Sequence, residues 1–253
     1  MELYGIKTPL IKPGDNIVEL LVKSMREIDF ALQDGDIIVL AESAVATAEN
    51  RIINLKDIKP SKKAIHLGNR YSIDPGEMEI ILREADKIIG GSSGFVLTLK
   101  NGFLSPNAGI DTSNAPVGYV VLLPENPDKS AREIRGKFEA RYNCNTAVII
   151  GDSRTYPLRW GCVGVAIGCS GIEAVEDVRG KKDLFERPLK VTRKAVADNI
   201  VSAAQILMGE ANESVPMVVA RNTSVEIKDA EGIPTIAPEE CLYFGVLCEP
   251  VSL

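Results

Sequence analysis

Three acids, Asp111, Asp152 and Glu210, each stand where an apolar or periodic segment stops. Asp111 lies in the stretch SPNAGIDTSNAP, residues 105–116, among Ser105, Asn107, Thr112, Ser113 and Asn114, with Ile110 as the only large apolar residue. Ala108 and Gly109 let the backbone there come close to a ligand. Asp152 closes the apolar run AVIIG and is followed by the hydroxyl of Ser153; Glu210 follows Met208 and Gly209 at the end of a long periodic segment. Carboxylates, hydroxyls, waters and phosphate oxygens are the donors that Mg²⁺ and Mn²⁺ take. Asp111, Asp152, Ser153 and Glu210 are therefore candidate metal ligands, placed in loops on a rigid scaffold. For any one of these acids alone the plainer reading is turn chemistry, in which Asp and Asn bond their own backbone.

Other chemistries have less material. His66 is the single histidine, so His-rich metal sites are excluded; it reads as a surface or helix residue. The five cysteines, Cys144, Cys162, Cys169, Cys241 and Cys248, are odd in number and lack C-x-x-C spacing. Reduced thiols in a cytoplasm fit them best, and Cys162 and Cys169 read as core residues. GGSSG at 90–94 lacks the G-K-[ST] ending of a P-loop, and GCVGVAIG contains no G-x-G-x-x-G. Both read as turns and close packing. Trp160, beside Arg159, reads as a binding-site wall or a buried anchor.

The segments that must hold these residues mix strand and helix. DNIVELLVKSMREIDFAL has helical apolar spacing, with Asp15 as its expected cap. DIIVLAES reads as a buried strand and GEMEIILREADKII as a helix. FVLTLK is a strand running up to the 105–116 loop, and VGYVVLLP leaves it. DKSAREIRGKFEARYN is an amphipathic helix, with Ser130 and Glu133 as a capping box. NTAVIIGDS and GCVGVAIGCSG are strands. VTRKAVADNIVSAAQILMGE is the longest helix, capped at Thr192, with Val196, Ile200, Ala203 and Leu207 as its apolar face and Gly209 as its stop. PMVVAR is a short strand. Strands follow one another through loops, so the expected architecture is α+β, mixed sheets with packed helices, rather than a doubly wound parallel sheet. No long linker divides the chain, which reads as one catalytic unit over residues 1–253, with two interleaved subdomains as the alternative.

The 253 residues carry a net charge of −6 and a pI near 5.1. Nucleic-acid binding needs a basic surface and is not expected. The first residues, MELYGIKTPLIKPGD, show no charged-then-apolar signal pattern, and no apolar run approaches about 18 residues, so no membrane span is expected.

Whole segments also match a known family. TPLIKPGDN, NAGIDTSN, GDS…RWGCVGVAIG, RGKKDLFERPLKVT, VADNIVSAAQILMGE and PMVVAR occur in this order, from about residue 8 to about residue 222. In these the chain resembles the coenzyme F420-0:L-glutamate ligase, or gamma-glutamyl ligase, family. The resemblance implies an α+β homodimer that uses GTP and Mg²⁺ or Mn²⁺, with a monovalent cation as a further component, to join L-glutamate to a substrate carboxylate. Coenzyme F420-0 is the first acceptor implied. The alternatives are another amino acid, another acceptor such as a folate, or a non-catalytic nucleotide-binding homologue. Residue by residue, the resemblance places Asp111 and Asp152 as catalytic metal-binding acids, and Ser153 and Glu210 as further metal ligands. It places Thr8, Pro9, Leu10, Ile11, Glu42, Ser43, Thr47, Asn114, Met208 and Gly209 at the nucleotide.

The match breaks at three places. A Ser-Lys of the family falls on Ala46-Thr47, which removes a cation from the nucleotide; Lys12 and Arg51 are nearby replacements. The family's Asp-Thr-x-Gly-Arg falls on Asp152-Ser153-Arg154-Thr155-Tyr156, with Arg154 and Arg159 remaining close. A Gly-Arg pair becomes Glu186-Arg187.

Overall fold

The computed structural model describes residues 1–244. In chain order the elements are β1 (Glu2–Ile6), α1 (Ile17–Glu27), β2 (Ile37–Ala41), α2 (Glu42–Ala48), β3 (Ile52–Asn54), α3 (Lys62–Tyr71) and α4 (Pro75–Glu84). Then come β4 (Lys87–Ser92), β5 (Phe95–Lys100), β6 (Phe103–Pro106), β7 (Tyr119–Val121), α5 (Pro127–Tyr142), β8 (Ala147–Thr155) and β9 (Cys162–Ser170). The last are β10 (Val175–Asp177), β11 (Arg193–Ala195), α6 (Val196–Met208) and β12 (Met217–Arg221). The fold is α+β, as the succession of strands implied, and divides into two compact units.

The larger unit, residues 1–54 and 111–233, is built on a five-stranded sheet of order β1-β12-β2-β8-β9. Only β2 and β8 pair in parallel; the other pairs are antiparallel. The central strands are buried on both faces, and their side chains divide with period two. Ile38, Leu40, Val148, Ile150, Met217 and Val219 pack with Leu21, Met25, Ile134 and Phe138 of α1 and α5. Ile37, Val39, Ile149, Val218 and Ala220 pack with Ala197, Ile200, Val201 and Ala204 of α6. The helix seats close to the sheet because Gly151 and Gly164 have no side chain. A Cβ on Gly151 would lie 2.3 Å from Val201 Cγ1, and one on Gly164 2.7 Å from the Val201 carbonyl oxygen.

The smaller unit, residues 55–110 and 234 onward, holds α3, α4 and the antiparallel meander β4-β5-β6. Ser61 caps α3, and Asp74 caps α4 ahead of Pro75. Asn107 is buried and accepts the Val96 N–H at 2.9 Å. From Asn107 to Gly109 the backbone is left-handed throughout, with φ of 48°, 58° and 72°. Ala108 has no glycine freedom there and is held by a 3.1 Å bond from its N–H to Thr98 Oγ1.

Several expected boundaries move. The cap of α1 is Asn16, whose Oδ1 accepts the Glu19 N–H, while Asp15 accepts the Lys12 N–H. β2 stops at Ala41, so Glu42 and Ser43 open a helix instead of ending a strand. A further strand, β6, separates FVLTLK from the loop. α5 is capped by Asn126 with Pro127 following; Ser130 lies inside the helix and bonds Glu49 Oε1 and the Asn126 carbonyl. Thr192 is not the cap of α6, because Arg193–Ala195 pairs with β10 and the helix begins at Val196. The buried face of α6 is Ala197, Ile200, Val201 and Ala204, and Leu207 is partly exposed, at 38%. Cys169 is buried as expected, but Cys162 is exposed; Cys248 lies outside the described residues. Trp160 is fully exposed, which removes the buried-anchor reading. His66 is an exposed residue of α3. Among the described residues no helix is long and apolar enough to cross a membrane.

Candidate active site

β1, β2 and β8 run in the same direction, and their carboxyl ends form one edge of the large sheet. Thr8, Pro9, Leu10 and Ile11 follow β1, and the Thr8 N–H donates to the Ser214 carbonyl at 3.0 Å. Glu42 and Ser43 follow β2 directly, opening α2, with Thr47 in its last turn. Asp152 and Ser153 lie where β8 outruns β2, whose pairing ends at Ala41 and Gly151. Met208, Gly209 and Glu210 end α6 shortly before β12, which starts at that same edge. Gly209 is required there: its φ is 72°, and a Cβ would lie 2.1 Å from the Glu213 carboxyl carbon.

The acids divide into two groups because neighbouring strand residues face opposite ways. Gly151 faces α6, and so does Ser153, whose Oγ donates to Glu210 Oε2 at 3.1 Å. The Gln205 amide donates to the other Glu210 oxygen. Asp152 and Arg154 face the other side, with Arg154 Nε donating to Asp152 Oδ2 at 2.9 Å. Asp152 there shares its field with Glu42 and Asp111. Asp111 is fixed by an antiparallel bridge to Val121 and accepts both the backbone N–H and the hydroxyl of Ser113, each at 2.7 Å. The turn chemistry read from the sequence is thus present at Asp111 alongside its place among the acids. Asn114 follows in this exposed loop with φ of 52°.

Burial pushes the Glu42 carboxyl well above the usual carboxylate range, and the charges of Asp152 and Asp111 add to the shift. Burial likewise raises Asp152, against the lowering pull of Arg154. A raised carboxyl costs stability once ionised. Below the ordinary carboxylate value Glu42 is neutral in both states and costs nothing; the penalty grows as pH rises through its folded value. Glu42→Gln is therefore expected to raise the melting temperature more at pH 8 than at pH 5, by calorimetry without divalent cations. A gain that is equal at both values, or larger at pH 5, would contradict this electrostatic account.

Chemically the carboxylates of Glu42, Asp111 and Asp152 are donors of the kind a hard cation takes, and a divalent ion would relieve the repulsion among them; Ser153 and Glu210 lie on the other side of the strand. As they stand, no group of three or more His, Cys, Asp or Glu among the described residues is set to hold a metal ion. Of the replacement cations, Lys12 is exposed, and Arg51 spends its Nε on the Leu123 carbonyl at 3.1 Å. Sequence reasoning placed Glu42 at the nucleotide without seeing that its charge couples to Asp152 and Asp111, and it missed the bond between Arg154 and Asp152. The i, i+2 spacing on a strand was the available signal for that pair.

With this geometry in view, comparison with known proteins places the chain among the amide-forming ligases. It belongs to the F420-0:Gamma-glutamyl ligase family, whose profile matches residues 5–222. The coenzyme F420:L-glutamate ligase of Methanopyrus kandleri is 42% identical over 223 residues, 88% of this chain and 86% of its own. That of Methanocaldococcus jannaschii is 40% identical over 243 residues, 95% of each chain. That of Archaeoglobus fulgidus is 36% identical over 226 residues, 89% of each.

Proposed function

We propose that this protein joins L-glutamate to coenzyme F420-0 through a γ-glutamyl amide, using GTP and Mg²⁺ or Mn²⁺. The observation that carries the reading is the near end-to-end match to relatives bearing the name coenzyme F420:L-glutamate ligase, 95% of both chains in one case. A free carboxylate is a poor electrophile. GTP would phosphorylate it, and the glutamate amine would then attack the acyl phosphate, forming the amide and releasing phosphate. A bound divalent cation would draw charge from the phosphoryl group in transfer.

The residues at the carboxyl edge supply what remains. Asp111, Asp152 and Glu42 would present carboxylate oxygens on one face of the sheet, and on the other the Ser153 hydroxyl and the Glu210 carboxylate would be available. Thr8 to Ile11, Ser43, Thr47, Asn114, Met208 and Gly209 would line the nucleotide, with the hydroxyls and amide of Thr8, Ser43, Thr47 and Asn114 as its polar contacts. A monovalent cation could share that polar edge. The reading also includes a homodimer. The β8–β9 tip exposes Leu158 and Trp160, and the 178–194 segment exposes Leu184, Phe185 and Val191, apolar surface that a second copy would cover. Four free thiols among the described residues accord with a cytoplasmic setting.

The test is incubation of the purified protein with coenzyme F420-0, labelled L-glutamate, GTP and Mn²⁺, with sedimentation of the same preparation. A product heavier by one glutamate, made only with GTP and metal by a species of twice the chain mass, is expected. Amide formation with another carboxylate and none with F420-0 would move the acceptor. Turnover without GTP would overturn the nucleotide assignment.

A further inference from the structure

Asp152 meets a cation within its own chain. The Arg154 guanidinium stands two residues along β8, on the same face, with Nε 2.9 Å from Asp152 Oδ2. Both side chains are nearly enclosed, at 8% and 14% exposure, so water screens the pair little. The pair lies on the strand segment that has outrun β2, and Asp152 feels the charges of Glu42 and Asp111. The guanidinium brings a fixed positive charge and a planar fork of donors.

We propose that Arg154 is the resident counter-charge of this acid cluster and competes with a divalent cation for Asp152. The inference rests on the reading of Asp152 as a metal ligand. In the cation-free protein Arg154 holds Asp152 in place and offsets the mutual repulsion of the acids. A divalent ion engaging Asp152 must work against that positive charge. Arg154 thus acts as a positioning residue that sets the concentration of cation at which the site fills. It also accounts for acids that are near enough to repel yet not gathered as ligands, since one carboxylate oxygen is already committed.

The test measures Mn²⁺ binding by calorimetry in the nucleotide-free full chain, together with melting temperature with and without Mn²⁺. Arg154→Gln removes the charge and is expected to tighten Mn²⁺ by about tenfold. It should also lower the metal-free melting temperature and enlarge the rise that Mn²⁺ brings. Arg154→Lys keeps the charge and is expected to stay within about threefold of the parent. Equal or weaker Mn²⁺ binding by a folded Arg154→Gln protein overturns the competition while leaving the metal reading in place. Absence of Mn²⁺ binding in parent and variants overturns both. A measurement on the unaltered protein stands beside these: the Arg154 Nε–H, followed by NMR, should lose its protection from exchange at saturating Mg²⁺. An unchanged signal when Mg²⁺ is bound counts against the proposal as firmly as an unchanged affinity.

Discussion

Asp152→Asn is expected to lower ligase turnover by about 100-fold or more while the protein remains folded. The estimate follows the usual cost of removing one preorganised charge from a transfer site. Asparagine keeps the volume, and its carbonyl oxygen can still accept from Arg154 Nε, so the local packing survives. What disappears is the negative charge that Asp152 contributes to the field it shares with Glu42 and Asp111. Circular dichroism and the melting temperature check the fold; initial rates over a range of Mn²⁺ concentrations check the charge. Turnover within about threefold of the parent at limiting Mn²⁺ would remove Asp152 from the machinery.

The largest expected effect on stability lies away from the site. Asp36 is fully buried and accepts two bonds from Arg221, from Nε at 2.8 Å and Nη2 at 2.7 Å, as well as the Gln33 N–H at 2.8 Å. The guanidinium also donates to the Ala31 carbonyl and lies over the rings of Tyr4 and Phe30, 5.4 Å and 4.9 Å from their centroids. Asp36→Ala would leave that charge enclosed without its carboxylate. A loss of about 3–5 kcal/mol is expected, because stranding one member of a buried pair costs more than the pair contributes. Against a usual total of about 5–15 kcal/mol this is a large share. Urea unfolding would measure it. A loss below about 1 kcal/mol would show that the cluster can reorganise around the guanidinium.

The strands of the large sheet were legible because they are buried on both faces: IIVL, AVII and MVVA read as continuous apolar runs. Helix starts were less so, since local signals compete with pairing that no window of sequence contains. Thr192 is a good cap by type, yet Arg193–Ala195 is drawn to β10, and α6 begins without a side-chain cap. α2 was hidden because Ala41 gives it no capping side chain, so the apolar run appeared to continue through Glu42. The acids of the site were visible individually, by residue type and position. Their division between two sides of β8, and the coupling of Glu42 to them, were not. Both depend on which face each strand residue takes and on β2 lying beside β8, neither of which spacing alone shows.

The pairing of β1 with β12 has a consequence for how the chain comes into being. Glu2 pairs with Arg221 and Ile6 with Met217, so among the described residues the first strand is completed by the last. The central parallel pair joins Ile37 to Ala147 across residues 55–110, the segment that holds the helices and meander of the smaller unit. Such long closures slow folding, because entropy is lost before the contacts that compensate for it can form. On the ribosome, the smaller unit can gather its helices and meander while β1 and β2 still lack partners. Until residue 217 emerges, the apolar edge of β2 stands open to other chains. The amount of active protein a cell obtains therefore depends on how fast the segment from α6 to β12 is delivered, and on what shields that edge in the interval.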